Sequence, residues 1–169
     1  LAPDSSPELE DLVQFVAEID WELRGQEEVS ACTLSALWLS GRTASVVAVG
    51  DSPVFLFREQ ELSRVVGETS RGYLKSFMGM GRDVVERIEV SIIDVLPGDV
   101  FILATDGVSE FLGASTVQAL WEVNPGAEAC ADAIASAVEQ RRGEDDATVV
   151  VVQAIAPGVV LGGPQDVPE

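Results

Sequence analysis

Four places in the chain set carboxylates at turns beside strongly apolar runs. They are Asp51 in AVGDSPVFL, Asp106 in LATDGVSEFL, Glu110 one helical turn further on, and the pair Asp145 and Asp146 in GEDDATVVVV. A strand end fixes the backbone while the turn projects the side chain, so such positions suit ligands. Oxygen donors without His or Cys suit hard cations such as Mg²⁺ or Mn²⁺. Two such ions about 3.5–4 Å apart can activate water and polarise a phosphoryl oxygen, which points to metal-assisted hydrolysis of a phosphate ester. Each position also has a plain structural use. Asp51 between Gly50 and Ser52 suits a hairpin turn, Asp106 suits a helix N-cap, and Asp145 or Asp146 suits a solvated turn. Taken singly, the structural uses suffice. Three carboxylate-bearing turns on the most apolar strands together favour a ligand set.

The composition bounds what those carboxylates can serve. The 169 residues suit one domain with a sizeable core, and 47% of them are apolar. Acidic residues number 29 against 10 basic ones, a formal charge of −19. Such a surface repels phosphate backbones and anionic lipid, so nucleic acid is not an expected partner. There is no histidine, which excludes Ser-His-Asp and Cys-His catalysis and the usual His-containing zinc sites. Cys32 and Cys130 lack CxxC spacing and sit in apolar patterns. They are expected as buried free thiols in a reducing, cytoplasmic compartment. No apolar run reaches the length of a membrane span. The opening LAPDSS carries neither Met nor a signal-peptide pattern, and a fragment or processed product is expected.

The elements that must position the carboxylates follow from periodicity. SSPELEDLVQFVAEIDWELRG predicts a helix, with Ser5 or Ser6 as cap, Pro7 in its first turn and Gly25 at its end. Its apolar stripe is Leu9, Leu12, Val13, Val16, Ile19 and Leu23. ACTLSALWL, TASVVAVG, PVFLFR and ELSRVV predict four short strands in an antiparallel meander. Residues 67–85 predict a loop with a short helix, and ERIEVSIIDV another strand. LPGD predicts a turn, and VFILATD a strand covered on both faces. SEFLGASTVQALWEV predicts one or two short helices, GAEACADAIASAVEQRRG an Ala-rich helix, and DATVVVVQAI the last strand. Residues 1–156 are thus one α+β domain, and residues 157–169 a flexible Gly/Pro-rich tail.

The order TLSALWL, VVAVGDSPVFLFR, GMGRD, VLPGDVFILATDGVSEFL, DDATVVVV resembles the metal-dependent protein serine/threonine phosphatases, the PPM or type-2C family. The resemblance runs from about Ala31 to Ile155. It implies an antiparallel β-sandwich flanked by helices, with the metal site at one end. Asp106 and Asp145 would ligate one catalytic ion, Mn²⁺ or Mg²⁺. Asp51, Asp106 and Glu110 would surround a weaker third position. A water activated by two metals would attack phosphoserine or phosphothreonine in a phosphoprotein substrate, with no covalent enzyme intermediate.

The departures from the pattern are specific. Asp106-Gly107 is the chain's one Asp-Gly, so the family's N-terminal Asp-Gly-x-Gly segment, which supplies the bridging aspartate, is missing here. Pro53 stands where the phosphatases commonly carry Arg, as in the stress-response and sporulation branch of the superfamily. Two readings follow: an N-terminally incomplete catalytic domain, or an inactive phosphatase-like module that binds or regulates. Absent N-terminal strands would leave sheet edges bare. A dimer or a complementing N-terminal segment is the expected partner.

Overall fold

A computed structural model describes residues 9–25, 31–68, 73–141 and 146–156. Helix α1 (Leu9–Arg24) buries Leu12 and Val16, with Ile19 and Leu23 packed beside them, as the stripe predicts. The Gly25 N–H closes it on the carbonyls of Trp21 and Glu22, both at 3.2 Å. The expected caps Ser5, Ser6 and Pro7 lie outside the described residues, as does the 157–169 tail.

The strands are β1 (Leu34–Ser40), β2 (Thr43–Val49), β3 (Val54–Arg58), β4 (Glu61–Val66), β5 (Glu89–Asp94), β6 (Val100–Ala104) and β7 (Val149–Gln153). They form two antiparallel sheets, ordered β1-β2-β5 and β4-β3-β6-β7. The expected meander is therefore broken once. β2 pairs with β1 and β5, and residues 50–53 carry the chain into the other sheet instead of turning a hairpin. Local strand signals find each strand but do not say which neighbour it pairs with.

Helices complete the layers. After β6 come α2 (Asp106–Ser109), α3 (Ala114–Val123) and α4 (Ala127–Gln140); a 3₁₀ segment spans Arg82–Arg87. Alternation along the strands assigns their faces. Val47 and Val49 of β2 pack under α1, while Ala44, Val46 and Ala48 face the interior between the sheets. In β6, Val100, Ile102 and Ala104 pack with Cys130, Ile134 and Val138 of α4, while Phe101 faces the interior. Both faces of β6 are thus covered, as its unbroken apolar sequence predicts. Burying each valine, isoleucine or phenylalanine among them contributes about 1.5–3 kcal/mol. Cys130 is buried, and burial pushes its thiol up. Cys32 corrects the expectation of two buried thiols: it is exposed, because it lies before β1 in an isolated bridge to Met78. Among the described residues no helix is long and apolar enough to cross a membrane.

Two buried carboxylates hold segments that periodicity does not explain. Asp20 of α1 is 2% exposed. Its Oδ1 accepts from Gly79 N at 2.5 Å and its Oδ2 from Gly81 N at 2.9 Å, which ties the GMGRD segment to the helix. Asp99, 1% exposed, closes the LPGD turn by accepting from Leu96 N at 2.7 Å. It also takes both arms of Arg58, Nε at 2.8 Å and Nη2 at 2.7 Å. This bidentate pair clamps the end of β3 to the start of β6.

Burial alone would raise the Asp99 carboxyl. The hydrogen bonds from Arg58 and Leu96, with the Arg58 charge, outweigh it and hold the carboxyl below its ordinary value. A carboxyl depressed in the folded state adds stability above its unfolded value, about 3.9, and that stability is lost as pH falls through the folded value. Asp99→Ala is therefore expected to cost about 1.5–3 kcal/mol at neutral pH, because it removes the charge-assisted bonds from Arg58 and reopens the turn. Urea unfolding should show the gap between wild type and variant closing as pH falls below about 4.

Candidate functional site

Antiparallel pairing fixes where the acidic turns emerge. β3 begins where β6 ends, since Val54 pairs with Leu103, and β7 begins there too, since Val149 pairs with Ala104. Beyond the strands the pairing continues: Ala104 N donates to Pro53 O at 3.0 Å, and Thr105 N to Thr148 O at 3.0 Å. Thr148 N donates in turn to Thr105 Oγ1 at 3.0 Å. The turns bearing Asp51, Asp106 and Asp146 therefore leave the sheet at one end. Asp145 lies outside the described residues; Asp146, next in the chain, is exposed.

Asp106 opens α2 directly after β6 and is half-buried. Its Oδ1 accepts from Gly107 N at 2.9 Å. Thr105, not Asp106, stands at the N-cap, and its side chain makes no capping bond. The capping use of Asp106 is thus not the one realised. Glu110 follows one turn later, its N–H bonded to Asp106 O at 2.8 Å, and its side chain is exposed. Gly107 has no room for a side chain: a Cβ there would run into the Asp146 carbonyl and lie 3.2 Å from Ala147 Cα. The Asp-Gly step is what lets the end of β6 lie against the start of β7.

Asp51 sits half-buried in the crossing between sheets, with its Oδ1 shielded from solvent. Gly50 takes φ +94, and a Cβ there would meet the Thr33 methyl at 2.6 Å. Gly50 N donates to Ser76 Oγ at 3.0 Å, and Gly50 O accepts from Glu68 N at 3.0 Å. Glu68 Oε1 in turn accepts from Ser76 N and Ser76 Oγ, each at 2.9 Å. Ser52 adds a 2.7 Å contact to Thr33 Oγ1, and its carbonyl accepts from Ser35 Oγ. These hydroxyls and Glu68 immobilise the Asp51 turn. Sequence reading missed them because single Ser, Thr and Glu residues carry no spacing signal. Pro53 is buried, and Gly67 lies against its Cα too closely for any side chain.

The donor set of Asp51, Asp106, Glu110 and Asp146 is all oxygen, which fits a hard divalent cation. Among the described residues, no three acidic or thiol side chains converge closely enough to hold one. The described carboxylates thus fit such an ion in chemistry and share a sheet end, and completing a site requires a further donor. Beside them an open cleft of about 680 Å³ between α4 and the start of β7 is lined by Asp132, Ser136, Glu139 and Asp146.

Comparison with known proteins gives the lineage. The family model of stage II sporulation protein E (SpoIIE) matches residues 3–155. The S. agalactiae serine/threonine phosphatase superimposes with a TM-score of 0.76 at 13% identity, over 90% of this chain and 73% of that one. The catalytic domain of the phosphatase PstP, solved in complex with 2 manganese ions, gives 0.75 at 18% identity, over 90% of this chain and 74% of that one. The phosphatase domain of SpoIIE from Bacillus subtilis gives 0.55 at 21% identity, over 93% of this chain and 78% of that one. No match was found among curated proteins. The two layered sheets agree with the fold that the sequence resemblance implies. The chain belongs to the stage II sporulation protein E family and has the fold of the PPM serine/threonine phosphatases.

Proposed function

We propose that the chain belongs to a metal-dependent hydrolase of phosphoserine and phosphothreonine in proteins. In this reading Asp106 and Asp145 hold a catalytic Mn²⁺ or Mg²⁺, and Asp51 and Glu110 flank a weaker third position. The observation that carries it is the shared sheet end, where Gly107 seats the Asp106 turn against the Asp146 backbone. When bound, the ions would activate water and polarise the phosphoryl oxygen. The chain's own contribution is placement. Asp106 is held by a strand buried on both faces, and Asp51 by the bonds of Gly50 and Ser52. No histidine is present, so a phosphohistidine route has no residue to carry it. Two cysteines without a disulfide are in keeping with a reducing, cytoplasmic setting.

One observation favours the alternative, an inactive module that binds or regulates: among the described residues no three ligands converge. A phosphothreonine peptide separates the two readings. Mn²⁺-dependent phosphate release that falls roughly 100-fold or more in Asp106→Asn is expected. A folded protein that still releases no phosphate and takes up no Mn²⁺ once an N-terminal Asp-Gly-x-Gly segment is supplied would establish the alternative.

The carrying observation has its own test. Gly107→Ala must displace the Asp146 backbone and is expected to cost about 1–3 kcal/mol. Gly113→Ala, where a Cβ meets nothing within 4 Å, should change stability by less than about 1 kcal/mol. Thermal unfolding of the two variants makes the comparison, and equal shifts would contradict the packing.

A further inference from the structure

A carboxylate on the buried face of a helix calls for a reason. Asp20 follows Leu12 and Val16 at four-residue spacing along α1 and is buried with them. An apolar side chain there would avoid the cost of taking a charge out of water. Among the described residues no cation forms an ion pair with Asp20. Its partners are the amides of Gly79 and Gly81. Both glycines hold positive φ, +98 and +88, which residues with a Cβ rarely adopt. A Cβ on Gly81 would also run into the Arg24 guanidinium. Asp20 and Arg24, one helical turn apart, thus hold the 79–81 backbone in one place.

That backbone leads to the Asp51 turn by a short, pinned path. Met78 is buried in the core beneath α1 and exchanges both backbone bonds with Cys32, at 2.7 and 3.4 Å. Ser76, two residues earlier, is 4% exposed. Its hydroxyl accepts from Gly50 N at 3.0 Å and donates to Glu68 Oε1 at 2.9 Å. Gly50 precedes Asp51 and has little freedom to shift, because a Cβ there would meet Thr33 and would lie 3.2 Å from Ser76 O. Buried hydrogen bonds and residues 76–81 therefore run without a gap from Asp20 to the turn that bears Asp51.

We propose that Asp20 is a positioning residue for the candidate cation site. By holding the amides of Gly79 and Gly81 it fixes Ser76, and through Ser76 it fixes the backbone of Gly50 and the Asp51 carboxylate that follows. The proposal rests on the reading in which Asp51 flanks a bound cation. A ligand must be held to within about 0.5 Å, and the residues behind it do the holding. Four-residue spacing alone would place a Leu or Val at position 20. The carboxylate supplies what neither can, two acceptors facing two amides.

Hydrogen exchange of the metal-free chain, followed amide by amide, tests the link. Asp20→Ala should lower protection of the Gly50 amide roughly 10-fold or more relative to the β6 amides. Asp20→Asn keeps one carbonyl oxygen for two amides and should fall between, which decides the matter if the alanine variant folds poorly. Ser76→Ala should release Gly50 while Gly79 and Gly81 stay protected, and adding it to Asp20→Ala should release Gly50 no further. Leu12→Ala, which truncates a buried contact of the same helix and keeps both Asp20 bonds, should leave Gly50 level with β6. With Mn²⁺ added, Asp20→Ala should demand roughly 10–100-fold more metal to broaden residues 50–53. Gly50 exchange unmoved by either Asp20 variant, or loosened equally by Leu12→Ala, would overturn the proposal and leave the cation reading standing. A wild-type chain in which Mn²⁺ never broadens residues 50–53 would remove the cation reading and the positioning role with it, even where exchange shows the link.

Discussion

Strand β6 enters at Asp99, where Arg58 clamps it, and leaves at Asp106. Between the two it is hidden from water on both faces. Its pairing with β3 on one side and β7 on the other sets the position of every acidic turn at the candidate site. The register is stiff for a physical reason. A slip of one residue would turn Val100 and Ile102 away from the helices and Phe101 out of the sheet interior, and would move Asp106 by about 3.3 Å. The bidentate Arg58–Asp99 pair guards that register from the far end of the strand. The Thr105 and Thr148 bonds guard it at the near end.

Bringing carboxylates to one place opposes their mutual repulsion, in a chain that already carries −19. The fold meets this in part with backbone amides and close packing. Asp20 is answered by the amides of Gly79 and Gly81, Asp106 by that of Gly107, and the Asp51 turn by hydroxyls gathered around Glu68 and Ser76. Such contacts hold the acidic turns in place.

Much of this was legible in the sequence, because strong periodic signals are local. The apolar stripe of α1, the seven strands and the Asp106-Gly107 step all read directly from residue types. What was not legible depends on partners distant in the chain. Asp99 reads as a turn residue, and nothing in LPGD names Arg58 as its partner. Asp20 reads as part of a helix face, though it is the residue that fastens residues 79–81. Cys32 reads as apolar strand interior but falls before β1 and is exposed. Asp51 reads as a hairpin turn because the switch between sheets leaves no local mark. The convergence of the acidic turns at one sheet end belongs to the topology and not to any one motif.

That convergence is tested most directly by adding substoichiometric Mn²⁺ to the labelled chain and reading which amide resonances broaden. The account predicts broadening concentrated at residues 50–53, 104–110 and 146–149, and its loss in Asp106→Asn. Broadening spread over the acidic surface of α1 and α4, unchanged by that substitution, would contradict it.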